Sequence, residues 1–321
     1  MVTQAISVSD DHGDHKIAFD VYGAAHGYPV FMMHGTPGSR NGPIPRTSVL
    51  YRQGIMLICY DRPGYGESSR KPGRSVADAA RDVVAIADEL GLTDKFGIVG
   101  RSGGGPHALA CGALLPDRVS KVAVLVSIAP TDAQDLDWFA GMTPSNIREY
   151  GRANDDPVDL TAELTNRTQK IQNNPEFLLD FLEPELTAPD RRIVEDLGIR
   201  ELLTTAYAEA LRYGANGWID DVLAFRRRWG FELGDIKVPV LLWHGSEDTF
   251  SPVAHTRWLA SQIPDAEVEV QPGAAHFDAV EVLPRVLARV KAGNGSERLR
   301  VQSTHQPAPA AQRRDAVVVG P

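Results

Sequence analysis

The sequence predicts an α/β fold: a doubly wound, mostly parallel sheet with an inserted helical cap. Three observations predict it. Short apolar runs recur along the chain with helical segments between them, the pattern of strands buried on both faces. That alternation stops over residues 131–232, where only helical stretches are found. One strand-to-helix junction, "GRSGGG" at residues 100–105, sets a serine among glycines, which no regular element favours.

The elements follow in order. A hairpin is expected from residues 5–8 and 16–22. Strands are then read in "YPVFMMHG" (28–35), "GIMLICYD" (54–61), "KFGIVG" (95–100) and "VAVLVSIAP" (122–130). Residues 75–90, "SVADAARDVVAIADEL", carry apolar residues at helical spacing, with Ser75 and Asp78 suited to a capped start and Gly91 to the stop. The helical interval contains "LTAELTNRTQKI", "DRRIVEDLGI", "RELLTTAYAEALRYG" and "WIDDVLAFRRRW". A single crossover needs only about a dozen residues, so this interval reads as a lid over the sheet's carboxyl edge. Strands return in "VPVLLWHG" (238–245) and "AEVEVQPG" (266–273). The expected organisation is a core from 1–130 and 233–292, a cap from 131–232, and a tail from 293–321. The tail is poor in aromatics and rich in Pro, Gln, Arg and Ser, the composition of disorder.

Composition narrows the partners. With 321 residues, 43% of them hydrophobic, the chain can bury a sizeable core. A net charge of -9 argues against nucleic acid, whose binding relies on clustered Lys and Arg. The opening "MVTQAISVSDDHGDHK" turns acidic at once, unlike a signal peptide. No apolar run approaches the roughly 18 residues of a membrane span. Cys59 and Cys111 lie in apolar surroundings and read as buried thiols. A cytoplasmic protein acting on a small molecule is expected, without nucleic acid, membrane or cofactor; nothing in the sequence fixes its oligomeric state.

The serine junction carries the chemistry. Residues 100–104 fit G-x-S-x-G directly after a predicted strand and before a predicted helix, the context that motif requires. In such an elbow the residues two before and two after the serine approach closely, so Gly100 and Gly104 answer a steric demand. Gly103 lies at the helix start, where its N–H can face a developing oxyanion. A serine hydroxyl needs an adjacent base to act near neutral pH. His276, in "QPGAAHFD" just after the last strand, follows small residues that let a loop reach the elbow.

At these residues the chain resembles the α/β-hydrolase superfamily over residues 5–292. Supporting stretches are "HGTPGS" (34–39), "DRPGYGES" (61–68) and the position of the helical interval. The resemblance implies Ser102 as nucleophile, His276 as base and Asp248, three residues after Gly245, as the orienting acid. Asp132 competes, because some members carry the acid after the earlier strand. The resemblance also implies the Thr36 N–H as the second oxyanion donor beside Gly103, and a structural role for His34. His107 and His244 read as packing or hydrogen-bonded residues and His255 as surface. No chemistry is assigned to Asp61 or Arg62; Arg101 reads as solvated or salt-bridged, or as touching the lid or a substrate carboxylate. Trp138, Phe139, Met142 and Trp218 are candidates for lining the substrate pocket.

These residues point to a cofactor-free serine hydrolase of a carboxylic ester or similar small acyl substrate. Serine at 102 favours acyl transfer over the alkyl-enzyme chemistry an aspartate would suggest. No Cys/His spacing suggests a metal. Two other readings stay open. "HGTPG" is close to the "HGGPG" of proline iminopeptidases, which recognise an amine with lid carboxylates such as Asp155, Asp156, Asp159 and Glu163 could supply. A ligand-binding receptor on the same fold, with a slow triad, is the other.

Overall fold

The structure, a computed structural model, describes residues 3–10 and 13–292. The expected tail at 293–321 lies outside them. Eight strands form one sheet: β1 (Gln4–Asp10), β2 (Gly13–Gly23), β3 (Tyr28–Met33), β4 (Ile55–Tyr60), β5 (Phe96–Arg101), β6 (Val119–Leu125), β7 (Val240–Gly245) and β8 (Ala266–Gln271). Their spatial order is β1-β2-β4-β3-β5-β6-β7-β8. The β1–β2 and β2–β4 pairs are antiparallel and the other five parallel.

Strand periodicity divides the core into two layers. Along β4, Ile55, Leu57 and Cys59 face α1 (Thr47–Gln53) and the terminal α11 (Ala279–Lys291), while Met56, Ile58 and Tyr60 join the opposite cluster. Alternate side chains point to opposite faces, so apolar residues at every position bury both. The opposite cluster is completed by α2 (Ala79–Glu89), α3 (Gly104–Leu114) and α10 (Val253–Gln262). The segment expected as one helix at 75–90 begins with a 3-10 turn, Val76–Asp78, closed by the Ser75/Asp78 capping box. Gly91 follows α2 at φ 65, a left-handed stop suited to glycine.

Between β6 and β7 the chain forms α4 (Pro144–Asp155), α5 (Pro157–Asn173), α6 (Phe177–Leu182), α7 (Ala188–Val194), α8 (Leu197–Ala210) and α9 (Asn216–Phe225), and residues 131–232 contain no strand. "DRRIVEDLGI", read as one helical stretch, is split. Helix α7 ends at Val194, and the Asp196 side chain accepts from Ile199 N–H to start α8. An N-cap aspartate satisfies an orphan amide and restarts a helix in a new direction. All the strand-to-helix turns that matter below lie at the carboxyl ends of β3 to β8, where open parallel sheets bind ligands.

Candidate active site

Strand β5 is buried throughout and delivers the chain to Ser102, whose φ is 53. A positive φ on a side-chain-bearing residue costs on the order of 1–3 kcal/mol and persists only where the surroundings fix it. Here Ser102 N–H donates to Leu125 O at 2.8 Å and Gly105 N–H to Ser102 O at 2.8 Å. A Cβ on Gly100 would strike Gly104 O and stand 2.7 Å from Ala108 Cβ; one on Gly104 would strike the Met33 and His34 carbonyls. The two glycines therefore let β5, α3 and the end of β3 meet.

Two loops bring a histidine and a carboxylate to that serine. His276 Nε2 stands 3.1 Å from Ser102 Oγ, and His276 Nδ1 stands 2.9 Å from Asp248 Oδ2. With Nδ1–H donating to the carboxylate, Nε2 is left to accept the serine proton. Asp248 is buried and accepts from Phe250 N–H at 2.8 Å and Ser251 N–H at 3.0 Å. Burial by itself would raise its pKa, but the adjacent His276 and hydrogen bonds from His244 and His276 hold the carboxyl well below its usual range. Asp132 is exposed, and its backbone carbonyl is bonded by Gln134. The structure thus places Asp248, and not Asp132, against His276.

The loop after β3 lies against the elbow. The Thr36 side chain fills the space where a Cβ on Gly103 would stand, and Gly103 is the N-cap of α3. Beneath this loop lies a buried ionic cluster that the sequence reading missed. Asp221, on α9, meets Arg62 at 2.5 Å and Arg74 at 2.6 Å, and accepts from Tyr65 Oη–H at 2.9 Å and Thr36 Oγ1–H at 2.6 Å. Arg62 also donates to the carbonyls of His34 at 2.5 Å and Gly35 at 3.0 Å. Burial would raise the Asp221 pKa, but Arg62 and Arg74 pull the carboxyl far below the ordinary range. Arg62, given no role from its motif, is thus the post on which residues 34–36 are hung. His34 is buried and held neutral, first by burial and then by Arg62, with its Nδ1–H on Gly35 O at 2.8 Å.

A second missed group holds the His276 loop. Asp190, on α7, accepts from Phe277 N–H at 2.7 Å, and Asp278 accepts from Ala275 N–H at 2.8 Å. Burial raises the Asp190 pKa to about 6, against the partial pull of His276.

A cavity opens in front of Ser102, lined among others by His276, Arg101, Glu149, Tyr207 and Trp218. Of the four aromatic and sulfur side chains proposed as lining, only Trp218 is there; its indole N–H donates to Glu149 Oε1 at 2.7 Å. Trp138, Phe139 and Met142 belong elsewhere because the segment after β6 packs on α10 and the Asp248 loop. Trp138 N–H donates to Ala129 O at 2.8 Å, His255 Nε2–H to Trp138 O at 3.0 Å, and Thr143 N–H to Thr249 O at 2.8 Å. Phe139 stacks edge-on against Trp138, and Met142 is buried in the same apolar cluster. His255, expected at the surface, is 1% exposed, and burial lowers its pKa to about 4. His107 and His244 are buried and hydrogen-bonded, to Val76 O and to Thr256 and Ser251. The helical carboxylates Asp155, Asp156, Asp159 and Glu163 lie off the cavity lining. Asp156 caps α5, Asp159 pairs with Arg152, and Glu163 pairs with Arg152 and Arg167. Glu149 is the buried carboxylate that does line it, and Arg167 and Trp218 already occupy its oxygens.

The profile of the alpha/beta hydrolase fold family matches residues 28–281. The chain is 28% identical over 253 residues to a pimeloyl-[acyl-carrier protein] methyl ester esterase of Chromobacterium violaceum, covering 78% of this chain and 87% of that protein. It is 25% identical over 255 residues to a non-heme haloperoxidase of Rhodococcus erythropolis, covering 78% and 86%. Among solved structures, a thermophilic esterase from Thermogutta terrifontis superposes with a TM-score of 0.63 at 22% identity, over 90% of this chain and 97% of that one. Among the described residues no helix is long and apolar enough to cross a membrane.

Proposed function

The chain belongs to the alpha/beta hydrolase fold family, and from that premise we propose that it is a serine hydrolase cleaving a carboxylic ester or similar small acyl substrate through an acyl-enzyme. The observation that carries this reading is the continuous line from Ser102 Oγ through both nitrogens of His276 to Asp248, with separations of 3.1 and 2.9 Å.

In this reading Ser102 Oγ attacks the substrate carbonyl while His276 Nε2 takes its proton. The imidazolium that forms is stabilised by Asp248, which stays ionised and fixes the ring orientation. The N–H groups of Thr36 and Gly103 receive the oxyanion; donors fixed in advance are worth about 10²–10³ in kcat each. The imidazolium then protonates the leaving alcohol, and water, activated by the same nitrogen, releases the acid. The helices between β6 and β7 act as a cap: Glu149, Tyr207 and Trp218 complete the walls around the acyl group.

The test is labelling with a fluorophosphonate followed by peptide mapping, alongside turnover of p-nitrophenyl esters. The modification is expected on Ser102, and Ser102→Ala is expected to lower kcat by on the order of 10⁵–10⁶. A variant that keeps a tenth of wild-type turnover, free of contaminating esterase, overturns the assignment. Labelling of Ser102 without turnover of any ester would instead favour a binding protein on this fold.

A further inference from the structure

Five arginines are buried among the described residues, and four of them meet carboxylates. Arg40 faces Asp20, Asp61 and Glu209; Arg62 and Arg74 share Asp221; Arg167 meets Glu149 and Glu163. Arg101 is the exception. It is 6% exposed, makes no hydrogen bond or ion pair among the described residues, and its Nε is sealed from solvent with no acceptor. A guanidinium cannot shed its proton to relieve burial, and an unpaired buried charge is costly. A fold that neutralises every other buried arginine leaves this one open.

Its position says what the opening is for. Arg101 immediately precedes Ser102 and lines the same cavity. A Cβ built on Gly35 would stand 3.5 Å from Ser102 Cβ and 3.7 Å from Arg101 Nη2, so guanidinium and nucleophile border one small space. Tyr207, on α8, lines that cavity and lies near enough for the Arg101 charge to act on its phenol. Its hydroxyl makes no hydrogen bond among the described residues. The one carboxylate lining the cavity, Glu149, has its oxygens taken by Arg167 and Trp218. The cavity therefore presents an unpaired cation and a free hydroxyl donor, while its one carboxylate is already paired.

We propose that the substrate is an acyl compound carrying a second, free carboxylate a few bonds from the scissile carbonyl, bound by the Arg101 guanidinium and the Tyr207 hydroxyl. A planar carboxylate matches the guanidinium fork, and the charged hydrogen bond strengthens in a low-dielectric pocket. This inference rests on the acyl-transfer reading of Ser102. The reaction is plain hydrolysis: water adds, the acyl carbon–oxygen bond breaks, and a dicarboxylic acid and an alcohol leave. The charge would select the short half-ester over neutral esters of equal size.

The experiment compares monomethyl glutarate with methyl glutaramate, which replaces the carboxylate by an amide of the same shape, using acid release at constant pH. Wild type is expected to favour the half-ester in kcat/KM by about tenfold or more, mainly through KM, as a charge-assisted bond requires. Arg101→Gln is expected to bring that ratio near one, and Arg101→Lys to restore part of it. Equal use of the two esters by wild type, or an unchanged ratio in Arg101→Gln, overturns the proposal. Should Arg101→Gln fail to fold, wild type still decides: glutarate should protect Ser102 from the fluorophosphonate and glutaramide should not. Absence of both labelling and ester turnover would sink the hydrolase reading instead. Glutarate binding measured by calorimetry would then still decide for or against the carboxylate site.

Discussion

The two sides of the cavity are built by different means. On the sheet side, Ser102, Asp248 and His276 each sit in a short loop at the carboxyl end of a strand, and their places are set by backbone geometry. The positive φ of Ser102, the close approach at Gly100 and Gly104, and the amides clasping Asp248 are all local. On the helical side, position is carried by side-chain charges that reach across the chain: Asp221 to Arg62 and Arg74, Glu149 to Arg167. Local geometry survives the loss of a charge; the charge-held side does not. The same substitution, carboxylate to amide or alanine, should therefore have opposite signatures on the two sides.

Asp248→Asn is expected to give the largest effect, a fall of about 10³–10⁴ in kcat with the melting temperature little changed, because the wrong imidazole tautomer is favoured. Steady-state kinetics beside thermal unfolding checks it. An intact kcat would break the comparison on the sheet side. Asp221→Ala should do the reverse and lower stability by about 3–5 kcal/mol, since Arg62 and Arg74 are left as uncompensated buried charges. Equilibrium denaturation measures this; a loss confined to kcat, with stability intact, would show that the cluster does not hold the helices to the core.

The two tryptophans sharpen the contrast within the helical segment. Trp218→Ala should change the preference along a p-nitrophenyl ester chain-length series by about 1–3 kcal/mol. Trp138→Ala should leave that profile alone and cost about 3–5 kcal/mol of stability, as loss of a buried aromatic does. A shifted profile in Trp138→Ala would restore it as a lining residue.

The smallest effect concerns Asp190. Its folded pKa of about 6 lies above the ordinary 3.8, so the folded state holds the proton more tightly than the unfolded chain. Its contribution to stability is present below about pH 4 and is lost as pH rises to about 6. Asp190→Asn keeps an oxygen for the Phe277 amide without that charge. Relative to wild type it should be neutral at pH 4 and more stable by about 1–3 kcal/mol above pH 7. A stability difference that does not vary across this range would mean that Asp190 is not protonated on folding.

Legibility in the sequence follows the same division. The sheet and the elbow glycines could be read because each depends on residues near one another in the chain, whereas the pairing of Asp248 with His276 was implied only by the resemblance to the superfamily. A strand, a small-residue turn and a helix start leave periodic or spaced signals. The Asp221 cluster left none: its members lie at 36, 62, 65, 74, 107 and 221, in four separate segments of the chain, and every one is individually ordinary. His255 was misread because one turn of α10 faces the loop carrying Ala129, which no periodicity in "VAHTRWLASQ" announces. Size and chain position alone suggest Trp138 and Met142 as lining, whereas Trp138 packs on His255 of α10 and Met142 joins the same buried cluster. Arg101 stood in plain view beside the serine, but the absence of a partner is a property of the folded surroundings.

The hydrogen bond between Thr36 and Asp221 joins residues 185 positions apart in the chain. Closing so long a loop is entropically unfavourable until the groups at its ends are both in place. The strands from β3 to β6 can pair early through nearer neighbours, whereas residues 34–36 gain their anchor only when α9 arrives. A refolding chain thus pairs β3 to β6 before residues 34–36 are anchored, and under the acyl-transfer reading its activity returns only at the rate at which α9 docks against that loop.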